Sequence, residues 1–281
     1  ILMDGWSSNL LLSQLIEIYE TLVNGQIPGL STTPRYSSFI QWLQQQDNEA
    51  AKNYWRQYLQ GYEYPVKMPT SQFSEKGYES STSALELDEI TTIKLEQLAR
   101  KFQVTLSTIV QSIWAILLSK YHDVDDVIFG STVSGRPAQI KGIEKMVGLF
   151  INTIPVRVKV KPCLTFVQLI EQVQQDAIAC KDYTYYSLAD IQAQSPHKSE
   201  LIEHIIVFQN YPAHERVQNV LEANQFSIEN INVVEQSNYN FSIVVTPGKQ
   251  LKFRFLYNSK VFSTKYIQRL ENHLRNAIQA I

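Results

Sequence analysis

The feature that most constrains this chain is a repeated change of period. Ile154-Pro155-Val156-Arg157-Val158-Lys159-Val160 alternates apolar and polar residues with a period of two, as a half-buried strand must, and residues 165–180 then read as an amphipathic helix. Pro155 points to an edge strand or an irregular start, because proline cannot donate to a ladder. Segments of both kinds recur along the chain. Strands are expected over 83–87, 127–133, 202–209, 226–234, 239–246 and 250–257, the last three as an antiparallel meander turning at Pro247-Gly248. Helices are expected from Ser7 or Ser8 to Asn24-Gly25, over 36–46 and 47–60, after caps at Asp88 and Thr105, and from Ser263 to the end. Strands and helices interleave without a strict βαβ rhythm and without an internal repeat. This favours an α/β fold, a mixed-sheet α/β sandwich, over a doubly wound sheet or a barrel.

Apolar stripes add detail. Leu11, Leu12, Leu15, Ile16, Tyr19, Leu22 and Val23 line the first helix, and Tyr54, Trp55, Tyr58 and Leu59 line the third. In the helix after Asp88, Ile90, Ile93, Leu98 and Phe102 are expected to face inward. Residues 62–81, rich in Pro, Ser, Tyr and Gly, read as a linker.

Composition removes several classes of function. The 281 residues carry 25 basic and 27 acidic side chains, so no basic field gathers nucleic acid or anionic lipid. Cys163 and Cys180 form no C-x-x-C pair, and the histidines show no ligand spacing, so no metal site is expected. Apolar runs stay well short of the roughly 18 residues of a membrane span, and the setting reads as reduced and cytoplasmic. There is no dinucleotide, phosphate-loop, zincin or EF-hand motif. Gly130 to Gly135 matches a nucleophile elbow only loosely, since the spacing is not G-x-S-x-G. Asp123, Asp125 and Asp126 suggest either a metal cluster or, as the plainer reading, a solvated turn, and Arg136 and Arg157 either buried ion-pair partners or, by default, exposed strand charges. The chain opens Ile-Leu-Met-Asp-Gly-Trp-Ser without an initiator Met, as if cut from a longer one.

Four segments carry a resemblance. Ile1 to Ser7 resembles the tail of the H-H-x-x-x-D-G motif of nonribosomal peptide synthetase condensation domains, members of the chloramphenicol acetyltransferase-like superfamily; the two histidines are absent. Tyr36-Ser37-Ser38-Phe39-Ile40-Gln41-Trp42 resembles the family's Tyr...Trp helix motif, and Val147 to Thr153 with Pro155 and Arg157 resembles its G-x-F-V-N-T...R motif. Cys180-Lys181-Asp182-Tyr183 is similar to its H-Q-D-Y motif, with Cys180 at the His position. Phe129 to Pro137, Val207 to Pro212 and Tyr239 to Gly248 are also similar to family segments, in the same order. Thr184, where the family usually has Pro, and the 195–201 stretch depart from the pattern.

The resemblance implies a chloramphenicol acetyltransferase-like lobe and a domain that joins a donor acyl or peptidyl thioester to an acceptor aminoacyl thioester. Residues 1–30 would end the first lobe, 31–75 connect, and 76–281 form the second lobe. The catalytic His would precede Ile1, so the chain alone is expected to be inactive and its Leu11/Leu15/Leu22 stripe under-covered, leading to self-association or a clipped partner chain. Asp4 is implied as an orienter paired with a basic side chain, against a plain helix-entry acid near Ser7, and Gly5 as a close-approach position, against a simple turn glycine. Ser131, Thr132, Ser134, Gly148 and Asn152 are expected to line the substrate channel. No cofactor is bound by the domain itself; substrates arrive on the 4'-phosphopantetheine arms of carrier proteins. Implied partners are donor and acceptor carrier protein domains, an adjacent adenylation domain and the missing N-terminal lobe. The alternatives are an epimerization domain of the same superfamily and a non-catalytic recruitment domain.

Overall fold

The computed structural model describes residues 2–29, 32–68, 77–209 and 238–281. Its described residues fall into two compact units, one drawn from 2–47 and 134–152, the other from 48–133, 153–209 and 238–281.

The second unit is built on a six-stranded mixed sheet. Its strands are β1 (Ser80–Glu86), β2 (Asp126–Val133), β3 (Asn152–Lys159), β4 (His204–Phe208), β5 (Phe241–Thr246) and β6 (Lys252–Asn258), in the order β1-β6-β5-β4-β2-β3. β3 is an edge strand, as Pro155 requires. β4 runs parallel to both β2 and β5, while β6 runs antiparallel to β5 and β1. Only the β5–β6 hairpin of the expected meander is therefore described, and the expected strand over 226–234 lies outside the described residues.

Successive side chains of a strand point to opposite faces, so the sheet separates two cores. Val127, Phe129 and Ile206 enter the larger core with residues of α4 (Glu89–Lys101), α5 (Leu106–His122), α6 (Phe166–Ala179) and the C-terminal α8 (Thr264–Gln279). Ile128 and Ile205 enter the smaller core with α3 (Asn48–Leu59) and α7 (Leu188–Ala193). Side-chain caps set the starts of five helices in this unit: Asp88 for α4, Thr105 for α5, Thr165 with a full capping box for α6, Ser187 for α7 and Ser263 for α8. Gly61, in the left-handed region with φ 71°, follows the end of α3.

Four local expectations need correction. α4 buries Thr92, Leu95 and Ala99, whereas Ile90 and Ile93 face outward. The Thr92 hydroxyl accepts from the Leu251 N–H and donates to the Asp88 carbonyl, and these bonds draw the Thr92 face inward. Residues 62–68 form no helix, consistent with Pro65, yet Tyr62, Val66 and Met68 are buried. Asp126 is not a solvated turn residue, and Arg157 is not exposed. Arg157 Nε and Nη2 grip the Asp126 carboxylate at 3.0 and 2.6 Å while Nη1 donates to the Tyr58 and Gln60 carbonyls, closing the C-terminal end of α3. The Asp126 hydrogen bonds raise the Arg157 pKa above its usual value, so the guanidinium stays charged.

The first unit holds α1 (Gly5–Val23) and α2 (Ser37–Gln44) with the 134–151 loop. Phe39, Ile143, Met146 and Phe150 form its small core, ringed by Tyr36, Trp42, Leu43 and Ile140. Within α1 only Ser7 is buried, and Leu11, Leu15, Tyr19 and Leu22 stay exposed.

Candidate functional site

The site grows from the first helix cap. Ser7 and Ser8 are not the cap of α1: Asp4 is, its carboxylate accepting from the Ser7 N–H at 2.8 Å. Capping uses only part of that carboxylate, and the rest reaches across the unit. Oδ2 accepts the Phe150 N–H at 3.2 Å, and Arg136 Nη2 donates to Oδ1 at 3.2 Å. Asp4 also donates its own N–H to the Gly148 carbonyl at 3.1 Å.

Ser7 completes the knot. Its hydroxyl donates to the Gly148 carbonyl at 2.8 Å and accepts from the Gly148 N–H and from Arg136 Nη2, each at 3.1 Å. Arg136 spends Nη1 on the Ile143 and Met146 carbonyls at 2.6 and 2.9 Å and lies 3.9 Å from the centre of the Phe150 ring. The Arg136 and Asp4 side chains are only 7% and 2% exposed, which corrects the default of an exposed arginine. Burial pulls the Arg136 pKa below its usual value, and the Asp4 carboxylate opposes that pull.

Two glycines let the backbones meet. A Cβ on Gly135, whose φ is 57°, would overlap the Phe150 carbonyl oxygen; one on Gly148 would enter the Tyr36 ring. Tyr36 also donates its hydroxyl to the Leu149 carbonyl and stands edge-on to Phe150 with ring centres 5.1 Å apart. Trp6 Nε1 donates to the Glu144 carbonyl at 2.9 Å. Three motif segments far apart in sequence thus converge: the Asp4-Gly5-Trp6-Ser7 turn, the Tyr36 helix start and the Gly148–Phe150 strap.

This arrangement places a charge and fixes a loop. The Asp4 carboxylate is shared among three donors, the Ser7 N–H, the Phe150 N–H and Arg136 Nη2. Gly5 is the first residue of α1. Among the other expected channel residues, Gly148 is buried in the knot, Asn152 is half-buried at the start of β3, and Ser134 is exposed just past β2. Ser131 and Thr132 belong to β2 in the second unit, where the buried Ser131 hydroxyl accepts from Gln111 Nε2 at 3.0 Å. Ser7, Tyr36 and Arg136 lie in the segments that carry the resemblance without being among the expected site residues, and Gln111 had no such signal in the sequence.

Cys180, at the motif's His position, is the C-cap of α6. Its thiol donates to the Ala177 carbonyl at 3.3 Å, and burial pushes its pKa up to about 11, so it is a packing residue. Among the described residues no group of three metal-ligating side chains is close enough to hold an ion, and no single helix is long and apolar enough to cross a membrane.

Residues 1–281 match the sequence model of the condensation domain along their whole length. The chain belongs to the condensation domain family. It is 40% identical to bacitracin synthase 3 of Bacillus licheniformis over 286 residues and 40% identical to tyrocidine synthase 2 of Brevibacillus parabrevis over 284, each match covering 100% of the chain. It spans only 4% and 8% of those two proteins. Among solved structures, the first condensation domain of the CDA synthetase aligns with a TM-score of 0.76 at 17% identity, over 99% of this chain and 62% of its own. The X-domain from teicoplanin biosynthesis aligns with a TM-score of 0.78 at 17% identity, over 99% of this chain and 66% of its own. These likenesses show the mixed α/β fold of condensation domains, in agreement with the chloramphenicol acetyltransferase-like lobe that the motif resemblance implied.

Proposed function

We propose that this condensation domain sequence serves nonribosomal peptide synthesis. It would join a donor acyl or peptidyl thioester to an acceptor aminoacyl thioester, both tethered to carrier proteins through 4'-phosphopantetheine. The acceptor amine attacks the thioester carbonyl; a C–N bond forms, the C–S bond breaks, and the donor thiol departs as the amine loses a proton. Most of the acceleration on this reading comes from holding two tethered reactants in near-attack geometry. Asp4 and Gly5 shape the turn beside the reacting groups, and Ser131, Thr132, Ser134, Gly148 and Asn152 line the path of the substrates. Residues 1–30 close a first lobe, 31–75 connect, and 76–281 form the second lobe. Donor and acceptor carrier protein domains, with an adenylation domain alongside, are the partners.

The observation that carries the reading is the family match along all 281 residues. The convergence of three motif segments on the Asp4–Arg136 pair supports it further. The test is to incubate the protein that carries this sequence with loaded donor and acceptor carrier proteins. A condensed thioester on the acceptor is expected. Exchange of the α-carbon hydrogen for deuterium on one loaded carrier, without condensation, would point to epimerization, and carrier binding with neither product would point to recruitment.

A further inference from the structure

The face of α5 that covers β2 is largely apolar, with Ile109, Ile113, Trp114 and Leu118 nearly inaccessible, yet Gln111 lies in the same buried stretch. A buried primary amide is costly unless it is bonded. Its Nε2 donates to Ser131 Oγ at 3.0 Å and, at 3.3 Å, to Ser107 Oγ. The first bond has a direction. An amide N–H only donates, so Ser131 Oγ accepts, and the hydroxyl hydrogen must point elsewhere. Among the described residues no recorded hydrogen bond uses that hydrogen. Ser131 also sits where β2 leaves the core: Phe129 is buried, Thr132 half-buried and Ser134 exposed.

We propose that Gln111 is a positioning residue that holds the Ser131 hydroxyl as a hydrogen-bond donor to the carbonyl oxygen of the substrate thioester. This rests on the condensation reading above. The carbonyl oxygen gains negative charge as the amine attacks, and a donor fixed before the reaction is worth more there than one that must reorient. Ser131 keeps its proton throughout; the amine proton leaves with the departing thiol or to solvent. The amide thus sets the polarity of the serine without touching the substrate.

The experiment measures condensation by the protein that carries this sequence, using loaded carrier proteins, for wild type, Ser131→Ala, Gln111→Met and the double variant. Ser131→Ala should lower kcat by roughly tenfold to a hundredfold with KM for the carrier proteins unchanged. Gln111→Met fills similar volume without a donor and should cost less, and the double variant should match Ser131→Ala alone. Ser131→Cys, close in size and a weaker donor, decides the matter if Ser131→Ala does not fold; its kcat should also fall. Wild-type kcat in Ser131→Ala or Ser131→Cys overturns the proposal, as do losses that multiply in the double variant. No condensed product from the wild type overturns the condensation reading and this assignment together.

Discussion

At the scale of single residues, buried polar groups account for most of what is specific to this chain. Ser7, fully inaccessible, serves three partners with one oxygen. Ser7→Ala leaves the Gly148 peptide and one Arg136 N–H short of partners, and we expect a loss of about 1–3 kcal/mol in chemical denaturation; an unchanged midpoint would contradict the knot. His204 tests a different principle. Its Nε2 accepts from Trp114 Nε1 at 2.9 Å, its Nδ1 has no partner among the described residues, and burial lowers its pKa from 6.5 to about 3. The folded state therefore resists a proton that the unfolded chain accepts. Its stabilising effect is full above 6.5 and declines as the pH falls toward the folded value. The decline should approach roughly 1.4 kcal/mol per pH unit below the unfolded pKa. His204→Gln keeps an acceptor for Trp114 and should flatten that part of the profile, measured as denaturation midpoints between about pH 4 and pH 7; an unaltered slope would count against it.

At the scale of elements, the sequence was most legible where partners lie close along the chain. Asp88, Thr105 and Ser263 could be placed as caps because a side chain and the N–H it accepts are three residues apart. The face of α4 was misread because Thr92 counts as polar in a periodicity argument, while its hydroxyl is satisfied inside by Asp88 and Leu251. Arg136 stayed undecided between a buried ion pair and an exposed charge for a related reason: its carboxylate partner is 132 positions away, and no local pattern selects such a pair. Arg157 likewise joins strand to helix end over nearly a hundred residues. Arg157→Lys keeps the charge but cannot reproduce the fork that serves Asp126 and two carbonyls, so a loss of about 1–3 kcal/mol in thermal or urea unfolding is expected. Equal stability would mean that the fork adds nothing beyond its charge.

At the scale of the whole molecule, the exposed stripe of α1 sets how the chain behaves in solution. Leu15 and Leu22 are 62% and 58% exposed, with Leu11 and Tyr19 on the same helix. A contiguous apolar face of this kind drives association. Light scattering of the isolated chain should show concentration-dependent self-association that Leu15→Glu with Leu22→Glu abolishes, and a monodisperse monomer would contradict this. Motif order made the family legible from the sequence, because the segments keep their succession over nearly the whole chain. Their convergence in space was not legible, since it depends on glycines that allow backbone contact and on an arginine buried by a distant acid. Peptide-bond formation is read from the intact mass of the acceptor carrier protein after mixing with the loaded donor and the protein that carries this sequence. An acceptor arm heavier by the donor acyl group is expected; an acceptor mass unchanged beside a fully loaded donor would overturn the condensation reading.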